Sequence, residues 1–247
     1  MYPVQTILEY LQGWADPQLA EPWDNVGLLV DAGREVKKIM VALDITRAVV
    51  EEAAEQGCEL IVSHHPVIFK ALKSLNTAQP AFLLAQKSIS AICMHTNMDA
   101  AEGGVNDVLA ECLGMQQVQP FAGLGRVGTI PAVTAQEFAK RCKQLLDTPV
   151  LLADAGKPVT TVAVVGGSGG EFFAEALEMG ADCLLTGEAS HHHGLDALEA
   201  GISLVVAGHF ATEHPIVQRM ADRLQQQFPH AQVITSRANR APFAAVE

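Results

Sequence analysis

A strand–helix–strand pattern that occurs twice is the feature that most constrains how this sequence can fold. Residues 38–43 predict a buried strand, residues 46–56 an amphipathic helix, and residues 59–63 a second strand. The matching segments, 123 residues further on, are a strand at 162–165, a helix at 171–179 and a strand at 182–186. Parallel strands need a crossover connection, so two such βαβ units predict an α/β fold with mostly parallel or mixed sheets.

A third strand in each unit extends the repeat. Residues 89–95 resemble residues 202–208, at a spacing of 113, and both segments begin with Ile-Ser. Three matched strands in the same order favour an internal duplication, with chance similarity between two generic βαβ units as the alternative. The glycine-rich stretch 121–128 marks the expected boundary, which gives one lobe at 1–124 and a similar lobe at 125–247.

Charge and cysteine content limit the partners and the compartment. The 247 residues include 16 Lys and Arg against 28 Asp and Glu, for a formal net charge of −12. This balance argues against a nucleic-acid partner and against an anionic membrane surface, because both require clustered Lys and Arg. No apolar run reaches the roughly 18–20 residues of a membrane helix. The five cysteines are widely spaced and odd in number, so we expect a cytoplasmic protein in a reducing environment.

Residue types that bind metals collect where the predicted strands end. They are His64 and His65, His95 and Asp99, and, in the second lobe, His209 and Glu213. Ligands in open α/β sheets bind at the carboxyl ends of the strands, so we expect a metal site in the cleft between the lobes. The mixture of imidazoles and carboxylates suits zinc, iron or manganese. The spacing of four between His209 and Glu213 places both on one face of a helix.

Each of these residues also has an explanation without a metal. Adjacent residues of a regular strand point to opposite faces, so His64 and His65 could be a pair without a shared function. Asp99 could cap a helix, and Glu213 could be an ordinary carboxylate in a first helical turn. The concentration of all of them at strand ends of repeated units favours the metal site.

A glycine-rich turn at 166–170 suggests a different ligand. A strand, a run of glycines and a helix can bind phosphate through backbone N–H groups. This turn lacks the Lys-Ser/Thr of a Walker loop and fits Gly-x-Gly-x-x-Gly poorly. We therefore interpret it as a tight turn near the substrate cleft.

Seven short motifs span nearly the whole chain. In order they are Trp23-Asp24-Asn25-Val26-Gly27-Leu28, Ser63-His64-His65-Pro66, His95-Thr96-Asn97-Met98-Asp99, Gly125-Arg126-Val127-Gly128, Val165-Gly166-Gly167-Ser168-Gly169, Thr186-Gly187-Glu188 and Gly208-His209-Phe210-Ala211-Thr212-Glu213. Together they resemble the GTP cyclohydrolase 1 type 2 homologues, also called NIF-three-like dinuclear-metal hexameric proteins. The domain that some of these proteins carry after the Gly-x-Gly-Arg-x-Gly turn, residues 123–128 here, has no counterpart in this sequence, because Gly128 runs almost directly into the second lobe.

The resemblance implies a toroidal homohexamer with two divalent metal cations per subunit, such as Zn, Fe or Mn. Carried over by position, the ligands are His64, His65, Asp99, His209 and Glu213. Glu213 would bridge the two ions, His65 and Asp99 would complete one, and His64 and His209 the other. His95 and His192 match further polar positions of the family and are the implied catalytic residues.

The family name implies a hydrolase that opens the guanine ring of GTP with metal-activated water, giving 7,8-dihydroneopterin triphosphate and formate. Two divalent ions less two carboxylates leave a local charge of about +2, which would attract a nucleotide or another phosphate-bearing substrate. The residues themselves do not select guanine. A metal-dependent phosphoesterase with another substrate and a non-enzymatic, metal-binding toroidal scaffold are therefore the alternatives.

Overall fold

The computed structural model describes residues 1–244 and divides into two compact units. The first unit is Met1–Glu102 with Ile216–Arg240, and the second is Gly103–Pro215 with the segment that begins at Ala241. The elements up to residue 102 are α1 (Val4–Trp14), β1 (Gly27–Val30), β2 (Lys38–Ala42), α2 (Arg47–Glu55), β3 (Leu60–Ser63), α3 (Pro80–Lys87), β4 (Ser90–Cys93) and α4 (Thr96–Ala100). Those that follow are α5 (Val105–Leu113), β5 (Gln116–Phe121), β6 (Gly125–Thr134), α6 (Ala135–Leu145), β7 (Leu151–Ala153), β8 (Pro158–Ser168), α7 (Phe173–Glu178), β9 (Cys183–Glu188), α8 (His191–Ala200), β10 (Ser203–Val206), α9 (His209–Glu213), α10 (Pro215–Gln227) and β11 (Gln232–Thr235).

The first unit is built on a five-stranded sheet in the order β1-β4-β3-β2-β11. The strands β11, β2, β3 and β4 are parallel, and β1 runs antiparallel to β4 at the edge. Met40 and Ile61 of the sheet pack with Val49 and Val50 of α2 and with Leu84 of α3. The parallel strands therefore end at one edge, as the sequence pattern predicted.

The second unit has a six-stranded sheet in the order β5-β6-β8-β9-β10-β7. The strands β8, β9 and β10 are parallel, and β7 is antiparallel to β10. Buried residues on the two faces of the sheet belong to two clusters, one around Phe138 of α6 and one around Ala197 of α8. This unit is thus a sheet with helices on both faces.

The predicted repeat is confirmed by topology and register. The order β1-β4-β3-β2 of the first sheet recurs as β7-β10-β9-β8 in the second. The pairing of Ile39 with Leu60 recurs 123 residues later as Val162 with Cys183. The register of the three parallel strands is therefore the same in both copies, and the fold is an α/β fold with two similar βαβ-based units.

The same hydrogen bonds also recur in both copies. The Glu59 carboxylate accepts the backbone N–H groups of Lys37 and Lys38, at 3.0 and 2.9 Å. Asp182, which lies 123 residues after Glu59, accepts those of Thr160 and Thr161, both at 2.9 Å. In each unit a carboxylate at the start of one strand thereby satisfies two amides at the start of its neighbour.

The division into units differs from the contiguous lobes 1–124 and 125–247 that the sequence suggested. Residues 216–240 belong to the first unit because β11 continues its sheet, with Val233 opposite Ile39 of β2. Residues 103–124 belong to the second unit because Leu109 and Leu113 of α5 are part of the core around Phe138. The two boundaries follow long-range pairing and packing that no local pattern encodes.

The glycine-rich stretch 121–128 is a hairpin rather than a linker. Phe121 ends β5, Gly125 begins β6, and the two strands pair in antiparallel register. Ala122 and Gly123 have φ values of 48° and 77°, which a tight hairpin turn requires. Within residues 1–244, no helix is long and apolar enough to span a membrane.

Candidate metal-binding residues

Three imidazoles of the first unit come together and form the His cluster: His64, His65 and His95. One ring nitrogen from each lies within 4.8 Å of the others. The ring centroids are 4.9 to 5.5 Å apart. His64 is buried, and the other two are half-buried. Three donors this close suit a shared cation.

The sheet brings the cluster together because its members follow adjacent parallel strands. The N–H groups of His64 and His65 donate to the carbonyls of Ala42 and Leu43 at 3.3 and 2.9 Å, which extends the pairing of β3 with β2. His95 lies two residues beyond the end of β4 and immediately before α4. The cluster therefore sits at the carboxyl edge of the first sheet, as predicted for His64, His65 and His95.

Each ring is oriented through its Nδ1 atom. His64 Nδ1 is 2.9 Å from the Met94 carbonyl, His65 Nδ1 is 2.7 Å from Asp44 Oδ1, and His95 Nδ1 is 2.8 Å from Asp24 Oδ1. All three partners are acceptors, so each Nδ1 carries the proton and each Nε2 carries the lone pair. Such oxygen partners to Nδ1 are typical of histidines that bind metals through Nε2.

Asp99 adds a carboxylate beside the cluster. It lies on α4, and its Oδ1 is 3.6 Å from His64 Nε2. The turn at Gly103 is stabilised by a different carboxylate, since Gly103 N–H donates to Asp107 at 2.7 Å. Asp99 is thus placed for ligation, whereas Asp107 stabilises the following turn.

Two carboxylates of the first unit were missed as functional residues. Asp24 accepts from His95 and from the backbone and hydroxyl of Thr96. Burial by itself would raise the pKa of Asp24, but these hydrogen bonds outweigh burial and hold the pKa well below its ordinary value. Asp44 follows β2 at the same sheet edge. The strand-end criterion could have found Asp44, while Asp24 stood in the quoted Trp23-Asp24-Asn25 motif without a role.

The second unit brings His209 and Glu213 together on α9. His209 Nε2 is 3.1 Å from Glu213 Oε2, which confirms that a spacing of four places both side chains on one helix face. His209 Nδ1 is 3.4 Å from Glu188 Oε1. Glu213 is buried, at 4% exposure. A buried carboxylate and the imidazole that it contacts form a pair of donors suited to a divalent cation.

The glycine-rich turn packs against this pair. Gly167 has a φ of 65°, and a Cβ atom there would overlap Glu213 Oε1 and come within 3.2 Å of His209 Nε2. The N–H of Gly166 donates to Asn106 at 2.7 Å and that of Gly167 to Thr212 at 3.1 Å. These amides have partners within the protein, so the turn serves a close approach rather than a phosphate cradle.

The three consecutive histidines on α8 have different surroundings. His192 is exposed and stacks edge-on against His191, with ring centroids 5.7 Å apart. His193 Nδ1 accepts from the Ser190 backbone in a capping box. His193 also lines a cavity of about 440 Å³ together with Ser168 and Glu188. The cavity is therefore lined by His193, whereas the sequence had singled out His192.

The donor sets of both units fit a metal. The first unit supplies three imidazoles with oriented rings and one carboxylate, and the second supplies one imidazole and one buried carboxylate. Nitrogen and oxygen donors in this mixture suit zinc, iron and manganese.

Comparison with known proteins identifies relatives over the full fold. A relative from Clostridium perfringens named GTP cyclohydrolase 1 type 2 homolog is 32% identical, over 96% of this chain and 97% of its own. A Nostoc relative of the same name is 36% identical over 90% of this chain and 91% of its own. A solved structure of a hypothetical protein from Staphylococcus aureus superposes with a TM-score of 0.92 at 29% identity, covering 98% and 99% of the two chains.

The family model described as Duf34/NIF3 (NGG1p interacting factor 3) matches residues 2–242. That match covers both sheets and every residue of the His cluster. The resemblance drawn from the seven motifs is thereby confirmed. The chain belongs to the DUF34/NIF3 family.

Proposed function

We propose that this protein is a hydrolase that depends on two divalent metal cations per subunit. The residues that would hold them are His64, His65 and Asp99 of the first unit and His209 and Glu213 of the second. The observation that carries the proposal is that the adjacent rings of His64 and His65 each present Nε2, because Nδ1 is bonded to an oxygen. When bound, divalent ions of this kind supply Lewis-acid activation of water and polarise the atom under attack.

The residues around the ligands have separate proposed tasks. His95 transfers a proton at Nε2, and Asp24 keeps its ring in one tautomer by accepting from Nδ1. Asp44 does the same for His65. A carboxylate partner also stabilises an imidazole that gains a proton, so His95 can act as an acid after it has acted as a base.

The proposed substrate is GTP, converted to 7,8-dihydroneopterin triphosphate and formate. The names of the relatives from Clostridium perfringens and Nostoc support this choice. The same set of ligands would also suit a phosphoesterase, so the substrate has to be identified by assay. Metal-loaded protein should be tested against GTP and a panel of phosphate esters, with formate release and phosphate release measured separately.

The test of the ligand set is Asp99→Asn, with the exposed Glu178→Gln as the matched control. We expect the wild type and the control to hold two ions per chain after reconstitution and to show metal-dependent turnover. Asp99→Asn should lose at least one ion and about 100-fold in kcat/KM, as is usual when a metal ligand or its partner is removed. Fewer than one ion per wild-type chain, or full turnover in Asp99→Asn, would refute the proposal.

His192 is proposed as a second catalytic residue, and its neighbour offers a matched control. His191 and His192 are both exposed on α8 and contact one another. If His192 acts on substrate, His192→Ala should lower kcat while His191→Ala should not. Equal activity of the two variants would remove His192 from the mechanism.

Assembly and location complete the proposal. We propose a toroidal homohexamer in the cytoplasm. No disulfide joins any of the five cysteines in the part of the chain that the structure describes, and Cys58, Cys93, Cys142 and Cys183 are buried, which suits a reducing compartment. Native mass spectrometry should show six chains per particle; a monomer or dimer at micromolar concentration would contradict the assembly.

A further inference from the structure

Two large aromatic side chains of the first unit are exposed next to the His cluster. Trp23 is 57% exposed and Phe69 47% exposed. The centroids of these two rings are 5.7 Å apart. The centroid of the His95 ring is 6.1 Å from that of Trp23 and 6.2 Å from that of Phe69. Exposed tryptophan and phenylalanine rings in mutual contact form an apolar surface that a planar ligand can cover.

The neighbours of Trp23 hold this surface in place. Asp24 accepts hydrogen bonds from His95 and Thr96, and Asn25 Nδ2 donates to the Ile68 carbonyl at 2.6 Å. Trp23 is thus joined on one side to the His cluster and on the other to the segment that carries Phe69. Such an arrangement is preorganised, because the two rings need not be ordered when a ligand arrives.

The segment that carries Phe69 also has an unusual charge for this chain. Residues 66–79 contain Lys70 and Lys73 and neither Asp nor Glu, in a protein of net charge −12. Both lysines are exposed. A small positive segment beside exposed aromatic rings is complementary to a ligand that combines a planar base with phosphate groups.

We infer that Trp23 and Phe69 form a stacking site for the base of a mononucleotide, with Lys70 and Lys73 supplying charge for its phosphates. This inference rests on the proposed hydrolase for the reaction that follows binding, and it adds the residues that select a nucleotide over other phosphate esters. Stacking on Trp23 places the base within reach of His95, which is the proposed proton-transfer residue. Two lysines suit a mononucleotide better than a nucleic acid, whose binding requires many phosphate contacts.

Intrinsic fluorescence tests the stacking directly. The chain has two tryptophans, and the ring of Trp14 is covered by the Arg223 guanidinium at 4.1 Å. In metal-loaded Trp14→Phe protein, titration with GTP should quench the emission of Trp23. Guanosine should also quench it, whereas inorganic triphosphate should not, because it lacks a base.

Affinity variants separate the base from the phosphates. Trp23→Ala and Phe69→Ala should each raise the Kd for GTP by roughly 10-fold or more, as expected for the loss of a stacked ring. Trp23→Tyr should restore most of the affinity, and Phe243→Ala, at an 87% exposed phenylalanine of the other unit, should have no effect. The double variant Lys70→Gln, Lys73→Gln should bind GTP more weakly than the wild type but should bind guanosine equally well. Lys87→Gln is the control.

Metal content and mass distinguish the ways in which the inference can fail. All of these variants should keep the metal content and the particle mass of the wild type. If the protein binds GTP through Trp23 but releases no formate, the stacking site stands and the proposed reaction fails. If metal-loaded Trp23→Ala binds GTP as the wild type does, the inference is wrong. Stronger binding of a single-stranded oligonucleotide than of GTP, or a change of mass in Trp23→Ala, would overturn it in favour of a nucleic acid or a subunit contact.

Discussion

The side chain of Asn239 links the C-terminal segment to His65. Its Oδ1 accepts the Leu43 N–H at 2.5 Å, and its Nδ2 donates to Asp44 Oδ2 at 3.3 Å. Asp44 in turn accepts from His65 Nδ1. Asn239 is therefore a positioning residue that acts through Asp44 on His65, a proposed metal ligand.

Replacing Asn239 should affect both stability and metal affinity. Asn239→Ala leaves the buried Leu43 N–H without its acceptor, so we expect a loss of about 1–3 kcal/mol in the free energy of unfolding. Because Asp44 also loses a donor, metal affinity should fall, as for a partner of a ligating histidine. Urea denaturation and titration with Zn²⁺ or Mn²⁺ measure the two effects. Unchanged affinity in a folded Asn239→Ala protein would show that Asp44 is held by other contacts.

Gly167 combines a positive φ with close contact to Glu213, a proposed metal ligand. Gly167→Ala should cost about 1 kcal/mol for a β-carbon at positive φ and more for the overlap with Glu213. Gly156 has a similar φ of 72° with nothing within 4 Å of an added Cβ, so Gly156→Ala isolates the backbone cost. We expect only Gly167→Ala to lower the metal content. Equal metal content in both variants would mean that Glu213 can move without loss of binding.

At the scale of the element, the strand–helix–strand unit is stabilised by the same contacts in both copies. Asp182 illustrates them, because it accepts the N–H groups of Thr160 and Thr161 and the Thr160 hydroxyl at 2.7 to 2.9 Å. Partial burial tends to raise the pKa of Asp182, but these hydrogen bonds outweigh it and lower the pKa below its ordinary value of 3.8.

The lowered pKa predicts how the contribution of Asp182 depends on pH. A carboxyl whose pKa is lower in the folded state stabilises the fold above its unfolded pKa, and this stabilisation is lost as pH falls through the folded pKa. Asp182→Asn should therefore be less stable than the wild type at pH 7, and the difference should shrink below pH 3.8. Urea unfolding at pH 7 and pH 3 measures it. Asp196→Asn, at an exposed position on α8, is the control. A difference that grows on acidification would contradict the assignment.

At the scale of the whole molecule, the first unit is completed from both ends of the chain. β11 pairs with β2, and the Glu52 carboxylate accepts from Ser236 Oγ and from the N–H groups of Arg237 and Ala238. These contacts lie immediately before Asn239. The segment from β11 to Asn239 therefore both closes the sheet edge and reaches the proposed metal site.

Truncation separates that segment from the residues beyond it. Removal of residues 231–247 should lower the Tm by several degrees and reduce metal binding, because it exposes the β2 edge and removes Asn239. Removal of residues 241–247 should change neither property, since 241–244 are exposed. Thermal unfolding and metal analysis of both truncated proteins provide the check. Equal loss in the two proteins would place the stabilising contacts after Arg240 instead.

Local patterns predicted most of the repeated elements to within about two residues. The helix expected at 46–56 is α2 (Arg47–Glu55), with Thr46 as its N-cap, and the strand expected at 59–63 is β3 (Leu60–Ser63). Periodicity and capping are short-range effects, so they can be seen in a single sequence. The hairpin at 121–128 was missed because glycine marks turns and linkers alike.

The sequence by itself determined the α/β class, the duplication, the family and the residue types at the strand ends. The class and the duplication follow from periodicity and spacing, which depend on neighbours along the chain, whereas the family follows from the resemblance of the seven motifs. Only the tertiary structure decided that β11 completes the first sheet and that Asp24, Asp44 and the Met94 carbonyl orient the His cluster. The physical reason is that a hydrogen bond between distant residues leaves no periodic trace, and its partners become identifiable only when the fold brings them together.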